Sequence, residues 1–374
     1  MRQFGLATRR RRWPIVLPSA LVVVLAALWS GAWFYIAGQA EDAIATWRAR
    51  EAQGGRVYGC SRQTIAGFPF RIEVQCEGPS AELARMTPPL ALKAADALFA
   101  WQVYQPALVI AEFGGPLTLG EAGQPASLVA RWRLTQASAH LSLEGAERVS
   151  IVAEAPSVAR LEAGGNADLV TAQHLELHGR RDAGSTADNP AVDLAVQLTG
   201  AAAPALHPIL AQPVDATATG VLHGAVDPTP KSVPLLLREW QAHGGSLEIT
   251  SARVQQGDVI AVGAGTLNLT PLGGLSGQLQ VTVVELAKVL QALGIDRIVS
   301  QGDVGSAINA LDRMLPGLGA IARQNAAPSI VAGLGAIGQN TTLEGKPAVS
   351  VPLRFDDGEV FLGPFRVGRV PPLF

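Results

Sequence analysis

The chain has few of the residues from which catalytic and metal sites are built. It contains two cysteines and six histidines among 374 residues, and aromatic residues make up 5% of it. Neither a GxSxG nucleophile motif, a HExxH helix nor a phosphate-binding loop is present. The carboxylates are scattered too widely to nominate an acid/base pair. These absences predict a protein that is not an enzyme and holds no cofactor.

Basic residues are scarce once the first 40 positions are passed. That opening holds five arginines and no acid, which leaves 24 of the 29 basic residues against all 31 acidic residues in the rest of the chain. A nucleic-acid-binding protein needs a basic surface to displace counterions from phosphates. The mildly acidic body therefore excludes nucleic acid as a partner. Hydrophobic residues make up 48%, enough to bury a sizeable core.

Charge is absent altogether from residues 13–40. The strongly apolar part, Trp13 to Ile36, would span roughly 36 Å as a helix, against a bilayer core of about 30 Å. This predicts a basic cytoplasmic tail over residues 1–12 and a transmembrane anchor over residues 13–37. Basic residues stay on the cytoplasmic side, so Arg9 to Arg12 direct the body beyond the anchor into the periplasm.

A cleavable signal peptide is the competing interpretation of the same segment. Gly38 and Ala40 are small residues at the spacing that a signal peptidase prefers. Signal peptides use about 7 to 15 apolar residues, however, and this run is longer. Both interpretations export the body, and no second long apolar run follows. We expect a single-pass protein of the inner (cytoplasmic) membrane whose membrane contact is residues 13–37.

The two cysteines, Cys60 and Cys76, lie sixteen positions apart with no nearby histidine. In an oxidising compartment this arrangement favours a disulfide over a metal pair or a nucleophile. The stretch TIAGFPFRIEVQC predicts a hairpin that turns at Gly67 to Pro69, because apolar and polar residues alternate after the turn. A register symmetric about Phe68 would place Cys60 opposite Cys76. Closing this loop should stabilise the fold by about 3 kcal/mol.

Strand patterns broken by glycine and proline dominate the body, and the whole chain contains 40 glycines and 25 prolines. QAEDAIATWRAREAQGG predicts a short juxtamembrane helix over residues 38–53 that ends at Gly54. Near the C-terminus, alternating apolar residues run into an Asp357-Gly358 turn, which predicts a hairpin with Val360 opposite Phe355 and Leu362 opposite Leu353.

A second strand-rich block covers residues 244–283. It predicts an antiparallel meander of four strands with short turns. The apolar positions of these strands fall at 247–249, 259–262, 267–269 and 279–283.

The pattern as a whole predicts a mainly β, α+β protein with antiparallel, curved sheets and a few covering helices. Helical patterns cover residues 283–294 and 303–325. DPTPKSVP at 227–234 contains three prolines and is the candidate boundary between a first β-rich part, 54–226, and a second, 235–374.

GLGAIG at 333–338 matches the glycine pattern of dinucleotide-binding loops. Only 36 residues follow it, too few for a dinucleotide-binding domain, so we interpret it as a glycine-rich turn.

HLELH places His174, Glu176 and His178 on one face of a strand. Two histidines and a carboxylate can ligate zinc or iron. The same alternation is typical of any polar outer face, and Arg180 follows at once, adding positive charge near a cation site. The sequence therefore favours a polar face without metal. An anchored envelope enzyme or metal-binding protein that uses these three residues is the alternative function.

A family resemblance joins several of these segments. The N-terminal anchor, GFPFR at 67–71 flanked by cysteines, the block at 244–281 and the closing LRFDDGEVFLGPFRVG together resemble the bacterial domain of unknown function 2125 family. The resemblance covers most of the chain after residue 40, and its motifs are structural rather than catalytic. The glycine-punctuated strand block is also similar to parts of AsmA-like envelope proteins, which implies a bent sheet able to hold lipid acyl chains.

Alternating apolar faces complete the functional expectation. Leu267, Leu269, Leu279 and Val281 should line an open apolar strip that the helices leave uncovered. Acyl chains would bury there at about 25 cal/mol per Å² of apolar area. We therefore expect a non-enzymatic envelope protein that offers an apolar β trough to phospholipid, or to another envelope protein, in envelope maintenance.

Overall fold

The computed structural model describes residues 13–142, 145–162, 164–186, 188–224, 229–292, 338–363 and 365–374. The helical pattern at 303–325 and the GLGAIG motif up to its last residue lie outside these ranges. The helices in the described part are α1 (Trp13–Gln53), α2 (Val233–Ala242), α3 (Leu286–Ala292) and a 3-10 turn at Pro208–Ala211.

β-strands make up most of the described chain. The strands up to and including the one that contains HLELH are β1 (Arg56–Gly59), β2 (Arg62–Ala66), β3 (Arg71–Glu77), β4 (Ser80–Leu83), β5 (Leu90–Lys93), β6 (Asp96–Gln102), β7 (Gln105–Gly114), β8 (Leu117–Glu121), β9 (Leu128–Arg131), β10 (Leu134–Ser142), β11 (Gly145–Glu154), β12 (Ser157–Glu162), β13 (Gly165–Thr171) and β14 (His174–Arg181). The remaining strands are β15 (Ala191–Ala201), β16 (Val214–His223), β17 (Ser246–Gln256), β18 (Val259–Leu269), β19 (Leu275–Val284), β20 (Gln339–Leu343), β21 (Lys346–Asp356), β22 (Glu359–Leu362) and β23 (Phe365–Arg369).

Helix α1 is one continuous element of 41 residues, where the sequence predicted an anchor and a separate juxtamembrane helix. No proline interrupts the chain between Pro18 and the helix end, so the two predicted segments merge. The helix is long and apolar enough to cross a membrane, and it is the one such helix in the described ranges. It ends before Gly54, and Gly55 adopts a positive φ of 78°, as a helix C-terminus favours.

Two open antiparallel sheets contain all the described strands. The seven-stranded sheet has the order β1-β4-β5-β8-β9-β12-β13. The sixteen-stranded sheet runs β2-β3-β6-β7-β10-β11-β14-β15-β16-β17-β18-β19-β21-β22-β23, with β20 paired to β21. The mainly β, antiparallel architecture predicted from the sequence is therefore confirmed.

Up to β14 the chain alternates between the sheets in pairs of strands, through breaks of two residues such as Gly78-Pro79, Gly115-Pro116 and Ala155-Pro156. Proline suits these breaks because it donates no ladder hydrogen bond. Backbone hydrogen bonds nonetheless continue through them, for example Gly78 N to Ala95 O at 2.8 Å and Ala155 N to Gln173 O at 2.8 Å. We call this line of breaks the junction. It makes the two sheets the two arms of one folded surface.

One cross-strand row of the large sheet is apolar from its second strand to its thirteenth. Each member lies directly opposite the next across antiparallel pairing, and paired side chains point to the same face. This apolar row consists of Val74, Phe99, Ala111, Ala137, Ile151, Leu177, Val196, Ala218, Ala252, Gly263, Val281 and Val351.

The first hairpin forms with a different register from the predicted one. Cys76 lies opposite Gln63 rather than Cys60, because four residues form the turn and Cys60 lies in the junction before β2. The Cys60–Cys76 disulfide is nevertheless present, with the two Cα atoms 5.5 Å apart. The disulfide therefore ties the junction to β3 instead of bridging the two strands of the hairpin.

The second strand-rich block contains three strands, β17 to β19, where four were predicted. The segments at 259–262 and 267–269 are both part of β18 because the glycines between them extend the strand instead of turning it. Gly265 has a φ of 147°, and a Cβ at that position would lie 2.2 Å from Gln278 O, so only glycine allows β18 and β19 to approach here.

The C-terminal hairpin agrees with its prediction: Val360 pairs with Phe355 and Leu362 with Leu353. Around the proline-rich segment at 227–234, β16 pairs directly with β17, so the large sheet continues past it. The division into two β-rich parts stays a prediction. Helix α2 follows this segment and was not predicted.

Candidate functional site

An apolar cavity of about 710 Å³ lies between the two arms of the folded surface, beside α1. The large sheet contributes Val74 and Phe99 from the apolar row, and the small sheet contributes Tyr58 and Leu92. Other side chains that line it are Ile44, Trp47, Arg48, Ala81, Ala97, Trp101, Pro106, Val109, Phe113 and Leu117. At Val74 and Phe99 the apolar row therefore faces open space.

Helix α1 closes one side of this cavity. The rings of Trp47 and Tyr58 stack with centroids 4.9 Å apart and planes inclined by 17°, which fixes the helix against β1. Arg48 donates from Nη2 to Gln63 Oε1 at 2.7 Å and approaches Cys60 Sγ at 3.2 Å. Both cysteines line the cavity, so the disulfide holds the junction where the helix meets the sheets.

The tip of the first hairpin packs against the apolar half of α1. Trp29 Nε1 donates to Pro69 O at 2.9 Å, and Trp33 Nε1 donates to Arg71 O at 3.0 Å. Gly67 allows this turn, since its φ is 98° and a Cβ would lie 2.7 Å from Arg71 O. The GFPF motif therefore fastens the sheet to the helix that is able to cross a membrane.

The four predicted trough residues share one face of the sheet, as their registers with β17, β19 and β21 show. Leu269 is buried, with 6% of its surface exposed, and the other three are half-buried. Val281 packs against a buried cluster that includes Leu286 and Leu290 of α3 and Val351 of β21. Val281 therefore faces packed core, about ten strands from the cavity, and the open trough at the four positions stays a prediction.

The HLELH side chains lie on the face opposite the apolar row, since Leu177 belongs to that row. They form a chain of hydrogen bonds. His174 contacts Glu154 Oε1 through Nδ1 at 2.8 Å and Glu176 Oε1 through Nε2 at 2.9 Å. His178 contacts Glu176 Oε2 through Nε2 at 3.0 Å and Ser150 Oγ through Nδ1 at 2.9 Å.

Both ring nitrogens of each histidine are thus engaged by protein side chains. Over the described ranges, no group of three or more His, Cys, Asp or Glu side chains is arranged to hold a metal ion. The hydrogen bonds to Glu176 and then to Glu154 raise the pKa of His174. The hydrogen bonds from His178 and then His174 lower the pKa of Glu176. The cluster behaves as a polar network on the outside of the sheet.

The cavity residues were missed by sequence analysis. Phe99 and Trp101 alternate along β6 and could have been recognised as one apolar face. Nothing in the local pattern shows, however, that this face lies opposite Tyr58 and Leu92 of a second sheet, because that pairing depends on the junction.

The fold and the cavity define an antiparallel β protein with one apolar N-terminal helix and an apolar interior between two sheets. The chain belongs to a bacterial family described as an uncharacterized protein conserved in bacteria (DUF2125), whose match covers residues 33–371. No curated protein matches the chain. The similarity to AsmA-like envelope proteins stays a prediction.

Proposed function

We propose that this protein is a non-enzymatic envelope protein, anchored in the inner membrane by α1, whose folded sheet takes up phospholipid acyl chains in the cavity beside that helix. The observation that carries the proposal is the apolar cavity closed by α1, the same helix that is long and apolar enough to span a bilayer. An acyl chain would thus find an apolar interior at the membrane surface.

The size and chemistry of the cavity suit this ligand. Small-molecule sites measure about 300 to 1,000 Å³ and are lined mostly by apolar and aromatic side chains, and this cavity of about 710 Å³ falls within that range. Each CH₂ group removed from water contributes about 0.8 kcal/mol. Arg48 is a cation at its helix side, and its side-chain hydrogen-bond partners in the described part of the chain are Gln63 and Cys60. A lipid phosphate there would meet a positive charge.

The topology in this proposal places the N-terminus in the cytoplasm and the sheets in the periplasm. The arginines before α1 support that direction by the positive-inside rule. The Cys60–Cys76 disulfide supports it independently, because such bonds persist in the bacterial periplasm and are rare in the cytosol.

The apolar row sets the direction in which a trough would extend from the cavity. It continues from the cavity wall across the large sheet to Val351, with no charged member. A trough for lipid or for an envelope partner would follow this row from the cavity and end before Val351, which is fully buried. The predicted trough at Leu267, Leu269, Leu279 and Val281 lies towards its far end.

The test uses the full chain in vesicles of phosphatidylethanolamine and phosphatidylglycerol that include a phospholipid with a photoreactive acyl chain. After illumination, labelled peptides are identified by mass spectrometry. We expect labels on α1 and also on β6 and β7. Phe99→Asp should reduce labelling of β6 and β7 at least fivefold, because the new charge lies in the cavity.

Ile110→Asp is the matched control. Ile110 is 40% exposed and Phe99 is 37% exposed, but Ile110 is one position out of phase with Ala111 of the apolar row and faces the other side of the sheet. This variant should label like the unmodified protein. Labels confined to α1 in the unmodified protein, or equal losses in both variants, would overturn the proposal.

A further inference from the structure

The exposed aromatic side chains outside α1 are concentrated at two hairpin tips at one end of the strands. Phe68 and Phe70 lie in the β2–β3 turn and are 50% and 61% exposed, and Tyr104 lies in the β6–β7 turn and is 71% exposed. The two turns adjoin each other, since Val103 N donates to Phe70 O at 3.0 Å. We call these three side chains the aromatic lip.

The lip is fixed to α1 at a defined height. Trp29 and Trp33 hold the backbone of the β2–β3 turn by the hydrogen bonds described above. The ring of Phe68 lies 5.4 Å from that of Trp33 and stacks on Phe34 at 5.8 Å, with 16° between the planes. The ring of Phe70 lies 6.3 Å from that of Trp29.

This height corresponds to the outer boundary of a bilayer. Trp33 and Trp29 precede Ile36, the end of the apolar run, by three and seven residues, which is about 4.5 and 10 Å along a helix. The interfacial layer on each side of the hydrocarbon core is roughly 5 to 8 Å thick. Aromatic side chains are enriched at that level because an apolar ring and a polar edge both find partners there.

The lip also adjoins the cavity. Trp101 and Pro106, which flank the β6–β7 turn on its two strands, both line the cavity. The junction residues Cys60 and Pro79 line it at the other end of the strands. The cavity therefore extends from just above the lip to the junction.

We propose that Phe68, Phe70 and Tyr104 insert into the periplasmic interface of the same bilayer that α1 spans, and that acyl chains enter the cavity past them. This inference rests on the proposed membrane anchoring and goes beyond it, because it assigns a second membrane contact to the sheet. The proposed partner of the aromatic lip is the lipid surface. Two observations favour this partner: the lip packs against α1, and its aromatic rings are exposed.

The test places a photoreactive benzoylphenylalanine at single positions of the full chain in phosphatidylethanolamine and phosphatidylglycerol vesicles, and measures crosslinked lipid. The positions are Phe70 and Tyr104 in the lip, Leu25 in α1 and Leu206. Leu206 is a matched control, since it is 72% exposed and lies in the β15–β16 loop at the junction end of the strands. We expect lipid labelling at Phe70 and Tyr104 at least tenfold above Leu206.

The Leu25 position separates this inference from the proposed function. Lipid labelling at Leu25 with none above the Leu206 level at Phe70 and Tyr104 would overturn the lip while α1 stays anchored. No labelling at Leu25 would overturn both the anchor and the lip. Labelling of the lip together with a cavity that takes up no acyl probe would support insertion of the lip, but it would overturn both acyl entry past the lip and the proposed lipid cavity.

Discussion

The two halves of the large sheet share one apolar row but surround it differently. At β3 and β6 the row lines the cavity between the large sheet and the small sheet, whose described strands all come from residues up to Thr171. At β19 and β21 the row meets packed side chains instead, because Val351 belongs to the core beneath α3 and Val281 packs against that core. The same surface is open beside α1 and filled at its distal end.

Under the proposed function, the half with the cavity binds the ligand, and the packed half contributes more to the stability of the fold. Close-packed apolar side chains stabilise a fold because they leave no unfilled volume, whereas a retained cavity forgoes that stabilisation. Val351 is fully buried, while Phe99 in the same row is 37% exposed. A charge placed at these two positions should therefore have opposite consequences for stability and for lipid uptake.

The largest effect is expected from Val351→Asp. A carboxylate at this fully buried position has no partner, and an uncompensated buried charge costs about 3 to 5 kcal/mol. Urea unfolding followed by circular dichroism should show that loss, or no folded protein at all. Phe99→Asp is the matched variant, and its cost should stay below about 2 kcal/mol because the side chain can reach the solvent in the cavity. Equal destabilisation of both variants would abolish the distinction between the two halves.

Several elements of this comparison could be predicted from the sequence, but their arrangement in space could not. The anchor, the disulfide pair and the hairpin at Asp357 follow from local patterns of charge, spacing and alternation. The junction does not, because a two-residue break such as Gly78-Pro79 reads locally as an ordinary turn. Alternation likewise identifies an apolar face at Leu269 and its neighbours, but it does not show that α3 packs against Val281 on that face.

A smaller effect is expected in the proximal half from removing the disulfide. The Cys60→Ser, Cys76→Ser double variant should lose about 3 kcal/mol of unfolding free energy, since it releases a loop of sixteen residues. The unmodified protein measured in reductant should match the variant, and without reductant it should show no thiol that reacts with a labelling reagent. A loss under about 1 kcal/mol would show that α1 and the hydrogen bonds across the junction hold the proximal half without the disulfide.

The smallest effect concerns the outer face at the border between the halves, where β14 pairs with β11 on one side and β15 on the other. His174 on β14 has a raised pKa, caused first by its hydrogen bond to Glu176 and then by that to Glu154. A histidine with a raised pKa in the folded state stabilises the fold fully below its unfolded pKa of about 6.5, and this contribution is lost as the pH rises through the folded value.

The change in unfolding free energy that His174 causes should therefore be confined to the region from about pH 6.5 upward and should disappear in His174→Asn. An NMR titration of the His174 ring measures the pKa directly, and Glu176→Gln should move it back towards the ordinary value because the first cause is removed. Glu176 itself has a lowered pKa, so its own contribution is present above the unfolded value and is lost in acid, which separates the two groups along the pH axis. A His174 pKa at or below the ordinary value would contradict this prediction, because it would show that Glu176 and Glu154 do not stabilise the protonated ring in solution. The outer face of the sheet would then differ from the inner face only in polarity.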